Sequence, residues 1–230
     1  MSDFVGLEKL SLVDFDNLLA CTIFTKTCNF RCPFCHNKTL ALANINDVIP
    51  FSEIVGFLKS RVGLLDGVCI TGGEPTLMVD LEDKLKVIKS LGFKVKLDTN
   101  GYRPDVLKRL IDLKLIDYVA MDIKNSLEKY EITTATTNLN LGKIKESIEL
   151  LKSNIIPYEF RTTIVKEFHK EEDIKKISEL IKGAQKYFLQ KFVNNENCID
   201  NNLSAIDKET AKSFVNILKI NIEKVELRGY

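Results

Sequence analysis

Three of the chain's six cysteines fall within eight positions, as Cys28-x3-Cys32-x2-Cys35 in the stretch TCNFRCPFCHN (27–37). Thiolates spaced this closely can hold zinc, can hold an iron–sulfur cluster, or can be grouped by chance. A structural zinc site takes four protein ligands, usually from two paired knuckles, and no second C-x2-C follows Cys35. His36 adjoins Cys35, an awkward place from which to close a tetrahedron with all three cysteines. Three thiolates suit a [4Fe-4S] cluster better, with one iron left open for another molecule. Zinc and a chance grouping stay open on spacing alone.

Other chemistry-bearing residues recur at a regular place, just after apolar β-rich runs. TGGEP (71–75) follows the run GVCIT; its glycines could let backbone approach a ligand, and Glu74 could receive an ammonium group. DTNG (98–101) and MDIK (121–124) end two further runs, and their aspartates also suit plain turn and capping roles.

The elements that must position these residues alternate. Strand-like runs are read at 19–25, 67–71, 93–101, 116–124, 158–165, 186–193 and 224–229. Helical spacing is read at 51–62, 81–92, 103–113, 141–153, 171–183 and 207–219. Ser52 is the expected N-cap of the first helix, Gly92 the residue closing the second, and Pro104 the start of the third. This β-α alternation predicts an α/β fold with parallel strands, as an open or partial barrel or as a flat doubly wound sheet. Either places ligands at the C-terminal ends of the strands, where the distinctive residues fall. With no long linker and no repeat, residues 1–230 are expected to form one domain. The segment EITTATTNLN (131–140) has no clear period and reads as a mobile loop at the barrel mouth or a polar connection.

Composition limits the partners. The 230 residues are 45% hydrophobic and 28% charged with a formal net charge of +1, which gives no global attraction to nucleic acid or an anionic membrane. The acidic start does not read as a signal peptide, and no apolar run approaches the ~18–20 residues of a membrane span. The expected location is therefore cytoplasmic, where thiols stay reduced and clustered cysteines hold metal or do redox chemistry. Cys21 and Cys69 sit in apolar runs and read as small core residues; Cys198 stands apart from the cluster in sequence.

Taken together, C-x3-C-x2-C with Phe34 before its last cysteine, the GGEP stretch and the β-α alternation resemble the radical S-adenosylmethionine (SAM) superfamily. The resemblance implies a partial (β/α)6 barrel of the radical SAM type. It implies that Cys28, Cys32 and Cys35 hold three irons of a [4Fe-4S] cluster while SAM chelates the fourth, so the missing ligand is the cosubstrate. Phe34 and Gly72, Gly73, Glu74 and Pro75 would line the cosubstrate site. An electron from the cluster would cleave SAM to methionine and a 5′-deoxyadenosyl radical that abstracts hydrogen from an unreactive C–H bond.

CHN (35–37), DTNG and MDIK further resemble the activating enzymes of glycyl radical enzymes. That likeness implies a monovalent cation surrounded by Asp98, Thr99 and Asp122, with Lys124 on the SAM carboxylate and Arg161 facing the same pocket. Only 36 residues separate Cys35 from Gly72, leaving no room for a ferredoxin-like insert, and a single cluster is expected. The compact size and the ending VELRGY are similar to activating proteins of anaerobic ribonucleoside-triphosphate reductase, with flavodoxin or ferredoxin as electron donor. The pyruvate formate-lyase type, which uses a late histidine near the adenosine, fits less well, because Gln190 and Phe192 stand in the late strand here. Rival readings are a radical enzyme acting on a small molecule, similar to 7-carboxy-7-deazaguanine synthase, and a non-catalytic zinc module. The terminal RGY reads as a last strand and tail, or as a mimic of the loop carrying a glycyl radical.

Overall fold

Side chains alternate across a strand, and that alternation sorts polar from apolar residues to opposite faces here. In Lys94–Thr99, Val95 and Leu97 are fully buried on one face while Lys96 and Asp98 occupy the other. In Tyr158–Ile164, Tyr158, Phe160 and Ile164 share one face, and Glu159, Arg161 and Thr163 the opposite one. The apolar face meets helices; the polar face lines the inside of a curved sheet.

The computed structural model describes residues 4–42 and 47–230, so the first three residues of the acidic start lie outside it. Its strands are β1 (Gly6–Ser11), β2 (Ala20–Thr25), β3 (Gly67–Gly72), β4 (Lys94–Thr99), β5 (Tyr118–Asp122), β6 (Tyr158–Ile164), β7 (Lys186–Lys191) and β8 (Lys224–Arg228). They form one sheet in chain order; β1 runs antiparallel to β2, and every later neighbour is parallel. A doubly wound sheet would reverse its strand order at a switch point. No reversal occurs here, so the parallel strands wind one way, as in a barrel. Six helical connections join β2 to β8, and β1 and β8 are left as edges. The expected partial (β/α)6 barrel is what forms.

The helices are α1 (Lys38–Ala41), α2 (Phe51–Lys59), α3 (Leu81–Ser90), α4 (Pro104–Asp112), α5 (Tyr130–Thr134), α6 (Leu141–Lys152), α7 (Glu171–Leu180) and α8 (Lys208–Leu218). Gly92, at φ +92°, ends α3 as expected, and Pro104 opens α4. Ser52 does not cap α2. Pro50 holds the N-cap position with extended backbone, and Ser52 falls inside the first turn. No described helix is long and apolar enough to cross a membrane.

Two segments differ from the sequence expectation. β1, within the acidic start, adds an antiparallel edge beside β2. Residues 131–140 are not a free loop: α5 begins the stretch, Thr133 and Thr134 are fully buried, and the Asn125 side chain donates to Thr133 Oγ1 at 2.9 Å. The carbonyl of Thr134 accepts from the Arg31 amide at 2.9 Å, so this stretch buttresses the cysteine loop.

Arg228 of β8 makes a paired hydrogen bond with the buried Glu159 of β6 and reaches Asp16, before β2, at 3.3 Å. A side chain thus bridges toward the gap that no strand pairing closes.

Candidate active site

The C-terminal ends of β2 to β7 surround a cavity of about 240 Å³. Cys28, Cys32, Phe34, Cys35, Gly72, Gly73, Glu74, Asp98, Thr99, Asp122, Lys124 and Arg161 all line it. Of the residues expected at the site only Pro75 is absent from the lining; it opens a short 3-10 turn behind the cavity.

The cysteine loop is held from four sides. Gly73 and Glu74 donate backbone hydrogen bonds to the carbonyls of Thr25 and Thr27, each at 2.8 Å. A β-carbon on Gly73 would collide with the Thr27 carbonyl, and one on Gly72, at φ +110°, would lie 2.5 Å from Thr25 N and O. The two glycines therefore let the GGEP loop close on the stem of the cysteine loop, where the sequence had pointed to a ligand. The trailing residues of CHN brace the other end. His36 stacks on Phe192 at 5.5 Å and bonds the Val193 carbonyl at 2.7 Å, and Asn37 Nδ2 donates to Gly72 O at 3.3 Å. The loop after β7 also closes over the cysteines, with Asp200 N donating to Pro33 O at 2.8 Å. Phe34, buried, packs on Phe168 and His169.

Glu74 is committed to this frame. Its Oε1 accepts from Thr76 N at 3.1 Å, from the Thr76 hydroxyl, and from Thr99 Oγ1 at 2.7 Å; its Oε2 accepts from Asn100 N at 2.7 Å. The carboxylate expected to receive an ammonium group also ties the GGEP loop to the end of β4. Burial raises its pKa despite these donors.

Beside the cysteines stands a ladder of charges. Arg161 Nε donates to Asp122 Oδ1 and its Nη1 to Asp98 Oδ2, both at 3.0 Å. Arg161 pairs directly with Asp122 in the β5–β6 register. Asp98 pairs with the small Ala120, which leaves room to cross β5. Lys124 Nζ donates to Asp122 Oδ2 at 2.9 Å, and Lys96 Nζ lies 3.3 Å from Asp98 Oδ1. Although burial opposes ionisation, Lys124 and Arg161 hold the Asp122 carboxyl down to about 2. Lys124 stays protonated, its own burial being outweighed by Asp122.

Of the oxygens expected around a monovalent cation, both Asp122 oxygens and Asp98 Oδ2 accept from Arg161 or Lys124, whereas the buried Asp98 Oδ1 has no hydrogen-bond partner among the described residues. The Thr99 hydroxyl donates to Glu74 and accepts from Gly101 N at 3.1 Å.

The thiols sit in surroundings that oppose the loss of their protons in the metal-free protein. Burial pushes Cys28 up to about 11, reinforced by the Glu74 charge, and Cys32 up to about 12; Cys35 is also raised by burial. Lys124 is the positive charge that opposes the rise at all three. Cys28 Sγ accepts from Phe30 N at 3.4 Å and from Asn100 Nδ2 at 3.8 Å, contacts of the kind that tune cluster sulfurs. Asn29 Nδ2, buried in the same turn, has no partner among the described residues and remains available to an acceptor there. No three described His, Cys, Asp or Glu side chains form a site for a single metal ion.

The profile of the radical SAM superfamily matches residues 22–181, from β2 to the end of α7. The chain belongs to the radical SAM superfamily. A Methanocaldococcus jannaschii protein described as a glycyl-radical enzyme activating enzyme is 37% identical over 191 residues, covering 81% of this chain and 78% of that relative. A Sulfurisphaera tokodaii protein described as a GTP 3′,8-cyclase is 28% identical over 216 residues, covering 89% of this chain and 64% of its own. Streptococcus suis SuiB, solved with its precursor peptide SuiA, shares the fold at a TM-score of 0.70 and 14% identity. That match covers 93% of this chain and 50% of SuiB. Among its relatives, then, are both activating enzymes of glycyl radical enzymes and GTP 3′,8-cyclases.

Phe30, Thr71, Asn100 and Thr163 also line this cavity and were not singled out in advance, whereas His36 and Asn37 belong to the CHN stretch already noted. Asn100 lay inside the quoted DTNG stretch, and its signal was the small polar residue following the strand end. Cys198 read as remote from the cluster, yet its thiol is near enough to Cys35 to help raise it.

Proposed function

We propose that this chain generates a glycyl radical on a partner enzyme, with anaerobic ribonucleoside-triphosphate reductase as the partner. Cys28, Cys32 and Cys35 hold three irons of a [4Fe-4S] cluster, and SAM completes the fourth. When bound, that cluster supplies the electron that splits SAM into methionine and the 5′-deoxyadenosyl radical that takes hydrogen from the partner's glycine. Lys124, aimed into the cavity by its bond to Asp122, pairs with the SAM carboxylate as a compact point charge. Phe34 and the glycine backbone of residues 72 and 73 complete the wall, and barrel burial keeps water from the reactive species. The protein works as one domain in the cytoplasm, reduced by a flavodoxin or ferredoxin.

The observation that carries the reading is the convergence of three thiols and a partly buried, ion-paired lysine on one cavity at the strand ends. The 37% identical relative supports the choice of a glycyl radical enzyme as target. The test is anaerobic reconstitution with iron and sulfide, followed by mixing with glycyl radical enzymes encoded nearby. A glycyl radical signal in electron paramagnetic resonance is expected with the reductase. A signal only with a pyruvate formate-lyase-type partner would move the target. Formation of 5′-deoxyadenosine with no radical on any protein would favour a small-molecule substrate, the reading that the cyclase relative supports. Zinc uptake without SAM cleavage would remove the enzyme reading.

A further inference from the structure

We propose that the Asn100 side chain, donating to the Cys28 sulfur, raises the reduction potential of the cluster held there. The inference rests on the reading that Cys28, Cys32 and Cys35 hold a [4Fe-4S] cluster, and it names the side chain that makes that cluster easier to reduce.

The orientation of the Asn100 amide follows from its neighbours. Tyr102 N can only donate, so the Asn100 atom facing it at 3.0 Å is the carbonyl oxygen. Nδ2 is thereby turned the other way, where it meets Asn29 Oδ1 at 2.8 Å and Cys28 Sγ at 3.8 Å. The backbone is fixed as well: Asn100 is buried, and its N–H donates to Glu74 Oε2 at 2.7 Å. Tyr102 is held in turn by its ring, which packs edge-on against Phe30 of the cysteine loop at 5.7 Å.

The turn fits a group that brings more acceptors than the protein supplies. Asn29 Oδ1 is taken by Asn100, so Asn29 presents its Nδ2 elsewhere, and that buried amide has no acceptor among the described residues. The sulfides of a cluster are acceptors of this kind. Ligation removes the Cys28 thiol proton and with it the 3.9 Å contact from Sγ to Asn29 Oδ1. Phe30 N, at 3.4 Å, and Asn100 Nδ2 remain as donors to a sulfur that is then an anion. The Phe30 amide is backbone that nearly any residue would supply. Among the described hydrogen bonds, Asn100 is the only side chain that donates to a cysteine sulfur of the loop.

An electron entering the cluster is shared with its sulfurs, so an N–H aimed at Sγ favours the reduced form. Of the charges that reach Cys28, Glu74 opposes the extra electron and Lys124 favours it. The step is a one-electron transfer: the flavodoxin or ferredoxin is oxidised, the cluster is reduced by one electron, no bond breaks and no proton moves.

The test is a redox titration of the anaerobically reconstituted full chain, without SAM or a partner, followed by the electron paramagnetic resonance signal of the reduced cluster. Asn100→Ser keeps an oxygen for the Tyr102 amide and removes the N–H. At the wild-type midpoint its ratio of reduced to oxidised cluster should fall about tenfold, a shift of about 59 mV to lower potential. Asn100→Asp, which sets a carboxylate oxygen against the sulfur, should lower the midpoint further. Iron content and thermal unfolding are measured alongside, since a merely structural role would change these and leave the potential in place. A serine variant with full iron content and an unchanged midpoint would overturn the inference. If neither variant holds a cluster, the wild type decides. With nitrogen-15 confined to its asparagine side-chain amides, pulsed electron paramagnetic resonance of the reduced cluster should show a coupling to that nucleus, and its absence would overturn the inference. A wild type that takes up no cluster would overturn the reading of the site, and this inference with it.

Discussion

The Thr99 hydroxyl donates a 2.7 Å hydrogen bond to Glu74 Oε1, and through it the end of β4 is fastened to the loop that follows β3. Asn100, the next residue, donates its amide to Glu74 Oε2 and its side chain to Asn29 and Cys28, so one buried carboxylate ties the cysteine turn after β2 to the ends of β3 and β4.

Glu74→Gln should therefore act on the frame before it acts on chemistry. Glutamine offers one carbonyl oxygen where the carboxylate offers two, leaving at least one buried donor unpaired at a cost of about 1–3 kcal/mol. A lower melting temperature and reduced iron retention are expected, read by thermal unfolding and by iron analysis after desalting. An unchanged melt would contradict the organising role.

Gly73→Ala should be harsher than an ordinary loop substitution. The added methyl meets the Thr27 backbone carbonyl, which cannot turn aside without breaking the bond from Glu74 N. About 3 kcal/mol or more of lost stability is expected, together with failure to retain a cluster. A well-folded Ala variant with full iron content would show that the close approach is dispensable.

Much of this architecture could be read from local sequence, because period-2 and period-3.6 patterns record which face of each element is covered. The strands from β2 onward and the long helices came out this way, as did the gathering of the cysteines, Glu74, Asp98, Asp122 and Lys124 at strand ends. What escaped lacks an apolar period. β1 is a half-exposed edge strand, GLEKLS, that gains its place from pairing with β2. α5 buries threonines by turning their hydroxyls back on the chain, as Thr134 does to the Tyr130 carbonyl at 2.8 Å, and so shows no hydrophobic stripe. The reach of Arg161 across β5 depends on register, which no single segment records. The nearness of Cys198 to Cys35 likewise arises from a fold-back of distant chain.

That nearness makes the cysteine series informative. Cys28→Ala, Cys32→Ala and Cys35→Ala should each abolish SAM cleavage and sharply lower bound iron. Cys21→Ala, Cys69→Ala and Cys198→Ala remove fully buried thiols that pack as small core residues, at a cost of about 1 kcal/mol each, and should keep the cluster. Iron and sulfide content with 5′-deoxyadenosine formation reads out the set. Loss of the cluster in Cys198→Ala would make that thiol a ligand.

Acid should weaken the fold through His169. The ring is buried, its Nδ1 accepting from Val165 N at 3.0 Å and its Nε2 bonded to the Lys124 carbonyl at 2.9 Å. Burial lowers its pKa from the ordinary 6.5, although the nearby Val165 and Lys124 carbonyls favour the charged ring. The unfolded chain thus takes up the proton first as pH falls. The stability tied to the neutral ring is complete above about 6.5 and drains away below it. Melting curves between pH 8 and pH 5 should show His169→Gln starting lower than the wild type and losing less over that range. Parallel curves would assign the acid sensitivity to other groups.

The hydrogen bond from Asp200 to the Pro33 carbonyl joins parts of the chain that are made at different times. A ribosome adds about 5–20 residues per second, so the three thiols precede the loop that covers them by roughly ten to thirty seconds. During that interval the nascent cysteine turn lacks its outer wall, and iron loaded then meets a more open site than iron supplied to the finished protein.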